Sequence, residues 1–308
     1  MRVPPASAVL LAALLAAAAS AQETPPMPTP PAPSPDVEAR TDLALGSGVA
    51  TGSGEAARWA DVLRAAEAAD VLVLGEQHDD PVAHAVQLRA LEALLGRDRP
   101  VVLSLEMVET DVQTVLDEYL AGLVRERDWL AASRPWGNYE SDYRPLVELA
   151  RQRGAAVVAA NAPGRYVSLV SRRGGLGVLD SLSAPARATM PPAVAPPSAA
   201  LAAKFTALMG GMPHGSGPSV EGMLAAQNLR DATMAWRIAE ALGQHPGALV
   251  VHVNGSFHSA DRLGVPEHLA RLAPDARVVV VTMDPEPSAG PSADDFVIAT
   301  ASGGPAGE

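Results

Sequence analysis

The chain alternates short, wholly apolar runs with longer stretches of helical period. Val71–Leu74 is the first run, and a turn follows it. Asp80-Pro81 then opens a helix, because an aspartate can accept from first-turn N–H groups and proline's fixed φ suits the first helical position. His84, Leu88, Leu91 and Leu95 stand at i, i+4, i+7 and i+11 and form its buried stripe. Val101–Leu105 is the second run, and the helix after it carries Val112, Val115, Leu116, Tyr119 and Leu123 on one face. Asp142 starts a further helix that stops at Gly154. Ala155–Ala160, Ala248–Val253 and Val278–Val281 are the next apolar runs. A long helix spans Val220–Leu242, and Phe296–Ala299 adds an edge strand. Fully apolar strands separated by helices predict an α/β fold, a mostly parallel sheet with helices on both faces. Residues 174–217 break this rhythm with Pro, Ala and Gly, and read as a helical insertion or lid subdomain with short patches around Ala184 and Leu201.

The ends differ from the middle. Arg2, the apolar stretch Ala6–Ala19 and Ala19-Ser20-Ala21 read as a signal peptide over residues 1–21. Residues 22–54 read as a Pro/Gly-rich disordered linker, 55–300 as the folded domain and 301–308 as a disordered tail. At 308 residues and 48% hydrophobic composition, a sizeable core is available. The formal net charge of -12 leaves no basic face, which argues against nucleic acid as a partner. Basic side chains are arginines except Lys204. Cysteine is absent, which removes disulfides, thiolate ligands, a catalytic thiol and the acceptor for a lipid anchor. The expectation is an exported protein, periplasmic or secreted, soluble, without a lipid anchor.

In an open parallel sheet, ligands bind outside the carboxyl ends of the strands. Here the first strand ends in Gly75-Glu76-Gln77-His78, the second in Glu106, the third in Asn161, and the fourth in Asn254-Gly255-Ser256-Phe257-His258. Gln227 and Asp231 lie one turn apart on the long helix and can face the same edge. Glu76, His78, Glu106 and His258 suit two tasks. Carboxylate and neutral imidazole bind a divalent metal ion, and the same groups do general acid–base catalysis on water. Spacing does not choose between them. No His-Glu-x-x-His helix and no Gly-x-Ser-x-Gly elbow is present, so Ser256 reads as a turn residue. Gly75 and Gly255 permit tight turns. His252 reads as structural, and His245 and His268 as surface residues.

These motifs together resemble the ChaN-like family of the haem-binding uptake, Tiki-like superfamily. The resemblance rests on Val73–Pro81, Leu105-Glu106-Met107, Trp136-Gly137, Tyr143–Leu146, Asn161-Ala162-Pro163, Gln227, Asp231, Met234-Ala235 and Gly255–His258. It implies an α/β fold with a helical subdomain and haem as cofactor, with a role in iron uptake. It also implies an alternative, a metal-dependent hydrolase or protease acting on a peptide, ester or lactone, with Glu76, His78, Glu106 and His258 as its shared centre. A haem or small-molecule ligand, an outer-membrane uptake system and a second copy of the chain are the candidate partners. Two departures stand out: no cysteine for lipidation, and Arg230 where the family carries an aromatic residue. Haem needs an axial ligand and an apolar slot. Tyr166, Tyr143, His84 and His214 are the candidates, with Tyr166 first because it follows the third strand end.

Overall fold

The computed structural model describes residues 32–209, 218–286, 288, 290 and 292–301. The signal segment, the first part of the linker, His214 and the tail from 302 lie outside them. In chain order the elements are α1 (Pro35–Ser47), β1 (Val49–Thr51), α2 (Trp59–Ala68), β2 (Val71–Glu76), α3 (Pro81–Leu95) and β3 (Val101–Glu109). Then follow α4 (Gln113–Leu120), α5 (Glu126–Ser133), α6 (Arg144–Gln152), β4 (Ala156–Asn161), α7 (Gly164–Arg173), α8 (Ala184–Arg187) and α9 (Ala199–Met209). The last are α10 (Val220–Gln244), β5 (Leu249–Gly255), α11 (Val265–Leu272), β6 (Val278–Asp284) and β7 (Phe296–Ala299).

The strands form one seven-stranded sheet in the order β1-β7-β6-β2-β5-β3-β4. All pairs are parallel except β1 with β7. β2 lies between β5 and β6, so its carboxyl end opens near the middle of one sheet edge. Alternate residues feed two cores. Leu72, Leu74, Leu103, Leu105, Val251 and Val253 pack with α3 and α6 on one face. Val71, Val73, Val102, Val250 and Val280 pack with α10 and α11 on the other. A third, smaller apolar cluster joins α7 and α10 to the 174–194 segment through Val167, Val170, Leu179, Met190 and Leu229.

Several elements depart from the sequence expectation. Ordered structure begins well before Glu55. Ser34 caps α1 and Pro35 sits where a missing N–H costs nothing, so a proline-rich stretch can still start a helix. α1 buries Thr41, Ala44 and Leu45, and Glu38 binds Arg89 of α3 at 2.5 Å. Residues 49–51, inside the Gly/Ser/Thr stretch, form the edge strand β1, so β7 is one strand in from the edge. Leu123 is 77% exposed because α4 stops at Leu120 and Gly122 turns the chain at φ 73°. The helix expected from Asp142 begins instead as a π turn over Tyr139–Tyr143. His268 is buried and bonded to Asn228 at 2.9 Å rather than lying on the surface.

Candidate functional site

β2 delivers Glu76 to the α3 face of the sheet, following Leu72 and Leu74 in strand parity. The carboxylate is fully buried and fully partnered. Its Oε1 accepts from the Tyr143 hydroxyl at 2.6 Å and lies 3.0 Å from His78 Nδ1. Its Oε2 accepts from Gln87 Nε2 at 2.5 Å and lies 3.0 Å from His84 Nδ1. α3 places His84, head of the stripe foreseen from sequence, and Gln87 there, one turn apart, once Asp80 caps Val82 and Ala83. Burial alone would raise the Glu76 carboxyl, but hydrogen bonds from His78, His84 and Tyr143 outweigh it and hold the group below the ordinary glutamate value. The same carboxylate raises His84 against the opposing effect of burial. His84 Nε2 faces the His78 carbonyl at 3.2 Å and Asp142 at 3.4 Å.

β3 delivers Glu106 to the opposite face, in step with Val102 and Ser104. Its Oε2 accepts from the Gly255 backbone N–H at 2.7 Å, and its Oε1 lies 3.1 Å from His258 Nε2. On the other side of that ring, His258 Nδ1 is bonded to Asp231 of α10. The buried imidazole therefore sits between two carboxylates. Burial opposes its charge, yet Glu106 and Asp231 push His258 up to about 10, so it is an imidazolium at neutral pH. Glu106 is buried too, but the His258 cation and the Gly255 N–H pull it down to about 2. Asp231 moves the other way, raised by burial that His258 only partly offsets. The Gln227 amide covers the His258 ring, 3.0 and 3.2 Å from its two nitrogens.

The halves meet at the carboxyl edge through His78 and two glycines. The His78 side chain is 45% exposed, its ring edge-on to Trp136 at 4.9 Å. A Cβ on Gly255 would lie 2.7 Å from His78 Cε1 and Nε2, so the ring rests on bare backbone there. A Cβ on Gly75 would meet Ser259 Oγ at 2.8 Å. Gln77 Nε2 ties the two turns together, donating to Asp284 at 2.7 Å and to Ser256 at 3.3 Å. Ser256 thus opens the 3-10 turn Ser256–His258, its hydroxyl accepting from Gln77. Asn161 is buried at the end of β4, its Oδ1 unpartnered among the described residues. His78 is the chemically available group of this edge. Its hydrogen bond to Glu76 raises it and fixes its orientation, the arrangement of a carboxylate–imidazole pair poised for proton transfer.

Three expectations change. Among the described residues no three His, Asp or Glu side chains are placed to share a metal ion. The physical reason is visible: Glu76 and Glu106 lie on opposite faces of the sheet, and both nitrogens of His258 are engaged by carboxylates. For the same reason His258 has no lone pair to act as a base. Of the axial candidates, Tyr143 is fully buried and donates to Glu76, and His84 is buried with both nitrogens engaged. Tyr166 is half-buried on α7, against the third apolar cluster. Gln87 was not named, Gln77 was named only within its turn motif, and Asp142 only as a helix start. Gln87, a polar residue between Val86 and Leu88 and three positions after His84, was the legible signal.

A profile of the family described as haem-binding uptake, Tiki superfamily, ChaN matches residues 62–269. A solved structure described as cofacial haem binding to ChaN of Campylobacter jejuni is similar at 16% identity and TM-score 0.61, covering 82% of this chain and 95% of that one. An erythromycin esterase mutant in its open conformation follows at 13% identity and TM-score 0.43, covering 76% of each chain. A Bacillus cereus protein is similar at 13% identity and TM-score 0.43, covering 80% of this chain and 74% of that one. No curated protein sequence matches the chain. The first of these likenesses bears on the fold.

Proposed function

The chain belongs to the ChaN family of the haem-binding uptake, Tiki superfamily, and on that premise we propose that it is an extracytoplasmic haem-binding protein serving iron uptake. Haem asks for an axial donor with an accessible lone pair, an apolar slot and polar groups at its rim. The observation that carries this reading is the setting of Tyr166. Its half-buried ring packs on the cluster of Val167, Val170 and Leu179, together with half-buried Leu176, Val178 and Leu182. The Arg165 guanidinium lies 4.4 Å from the ring centroid. A phenol beside a cation and against aliphatic side chains suits a ferric tetrapyrrole, and the donor set fits haem. Bound haem supplies an iron centre with a Soret band; the chain's part is to hold and release it. Titration with haemin is expected to give a saturable Soret change at micromolar haem, weakened by Tyr166→Phe. No saturable change with the unsubstituted protein refutes the reading.

Export rests on the signal-like segment, which lies outside the described residues, and we take an outer-membrane uptake system or a second copy of the chain as the partner. No helix among the described residues is long and apolar enough to cross a membrane. N-terminal sequencing of protein recovered from an extracytoplasmic fraction is expected to begin at Gln22.

One observation favours a second reading. His78 is partly exposed and oriented by a buried carboxylate, which is the equipment of a hydrolase whose base needs no metal. A Glu76→Gln variant assayed against esters, lactones and peptides tests it, beside elemental analysis of protein purified without chelator. Activity in the parent that vanishes in the variant without bound metal supports it. No activity in the parent counts against it.

A further inference from the structure

Resting on the haem reading above, we propose that Arg165 and Arg134 form a carboxylate-reading rim beside Tyr166, so that the ligand taken is a tetrapyrrole with free propionate groups. The rim is assembled from three elements at the β3 and β4 ends of the sheet edge. Arg165 belongs to the first turn of α7, directly before Tyr166. Arg134 ends α5 in a left-handed conformation, φ 55°, a backbone state that non-glycine residues adopt sparingly. Both guanidiniums converge on Asp111, Arg165 Nη1 at 2.5 Å and Arg134 Nη2 at 2.6 Å. Arg134 Nη2 also reaches Glu109 at 2.6 Å, and the other Glu109 oxygen accepts the Gly164 backbone N–H at 3.0 Å.

The cluster is formally neutral, and its exposure rather than its net charge favours an incoming carboxylate. Two guanidiniums face two carboxylates, and one of those carboxylates is shared with the first N–H of α7, where the helix dipole adds positive potential. Asp111 is mostly buried, with 14% of its side chain exposed, whereas Arg134 and Arg165 are 48% and 49% exposed. The acid is therefore the anchor that fixes the two arginines, and the cations are the part the solvent meets. A guanidinium carries five donors in a planar fork, and Asp111 takes only one nitrogen of each. The remaining donors suit carboxylate ends, while the ring of Tyr166 and its aliphatic neighbours suit the flat apolar body of the same molecule.

The test compares haemin with haemin dimethyl ester, titrated under one detergent condition and followed by the Soret band. Unsubstituted protein is expected to bind haemin about tenfold more tightly than the ester, the worth of one or two partly exposed charge-assisted pairs. Arg165→Gln and Arg134→Gln are each expected to narrow that gap to about threefold or less, read as the ratio of the two affinities within each variant. Matching urea unfolding curves show that the variants fold. Equal binding of haemin and ester to the unsubstituted protein overturns the rim and leaves the haem reading standing. So does a gap that survives both substitutions. Binding of neither compound overturns the haem reading itself, and the rim with it.

Discussion

Glu106→Gln removes one charge from the sealed Glu106–His258–Asp231 group while keeping the shape of the side chain and an oxygen for the Gly255 N–H. Its cost can be worked from the structure. Glu106 is drawn from 4.5 to about 2, which at ~1.4 kcal/mol per unit corresponds to about 3–4 kcal/mol. His258 is drawn from 6.5 to about 10, which corresponds to about 5 kcal/mol. Both figures describe largely the same ion pair and are not added. Asp231 stays in place, so the expected loss at pH 6 is about 3 kcal/mol, in the range for breaking a buried pair from one side.

The pH dependence separates a locked cation from an ordinary hydrogen bond. His258 is raised in the folded state, so its contribution is complete below pH 6.5 and is lost as the pH rises through about 10. Glu106 is depressed, so its contribution is complete above pH 4.5 and is lost as the pH falls through about 2. Both are complete between pH 4.5 and 6.5. Urea unfolding followed by circular dichroism measures the difference between parent and variant at pH 6 and again above the His258 value. The penalty should shrink to about 1 kcal/mol at the alkaline end, the worth of a neutral hydrogen bond. A penalty equal at both pH values, or one below about 1 kcal/mol at pH 6, refutes the imidazolium assignment.

Gly255→Ala places a methyl group 2.7 Å from the His78 ring and should cost about 1–3 kcal/mol while shifting the His78 ring resonances and Trp136 fluorescence. Tyr143→Phe keeps the packing but removes one of the bonds to Glu76, so the Glu76 carboxyl should titrate higher, by NMR, with stability lower by about 1 kcal/mol; a fall in that value would contradict the assigned donor direction. Lys204 is the chain's one lysine, and its Nζ is bonded to Asp261 at 3.0 Å and to the Ala260 carbonyl at 3.3 Å. Asp261→Asn should therefore speed its acylation by an amine-reactive ester, read by mass spectrometry, and an unchanged rate would show that α9 is not held there.

The parallel sheet was legible because each of its central strands is apolar on both faces, a pattern that few other arrangements tolerate. β1 was not, because Val49–Thr51 is a short edge strand with no periodicity of its own and gains its conformation from pairing with β7. α1 was hidden by composition: proline marks a loop in most places, yet is harmless at the start of a capped helix. At the site, Glu76, His78, Glu106, Gln227, Asp231 and His258 were all named from strand ends and helix spacing. His84 was named as the head of the α3 stripe and as an axial candidate, and nothing in its spacing says that its Nδ1 meets Glu76.

The two Gly-x-x-His turns look equivalent in sequence and do different work in the fold. Strand parity is the reason. Counting in twos puts Glu76 with Leu72 and Leu74, and Glu106 with Val102, on opposite faces. Because both faces are apolar, the sequence carries no contrast that says which parity belongs to which side. After Glu76 the chain leaves through a loop into α3, so His78 stays at the edge, half in solvent, with its carboxylate beneath it. After Gly255 the chain curls into a 3-10 turn over Ser256–His258, which turns the second imidazole inward toward α10 and Asp231. One turn presents a half-exposed histidine held by a buried carboxylate. The other buries a histidine whose charge organises the edge, and bare backbone at Gly255 is what lets the two rest against each other.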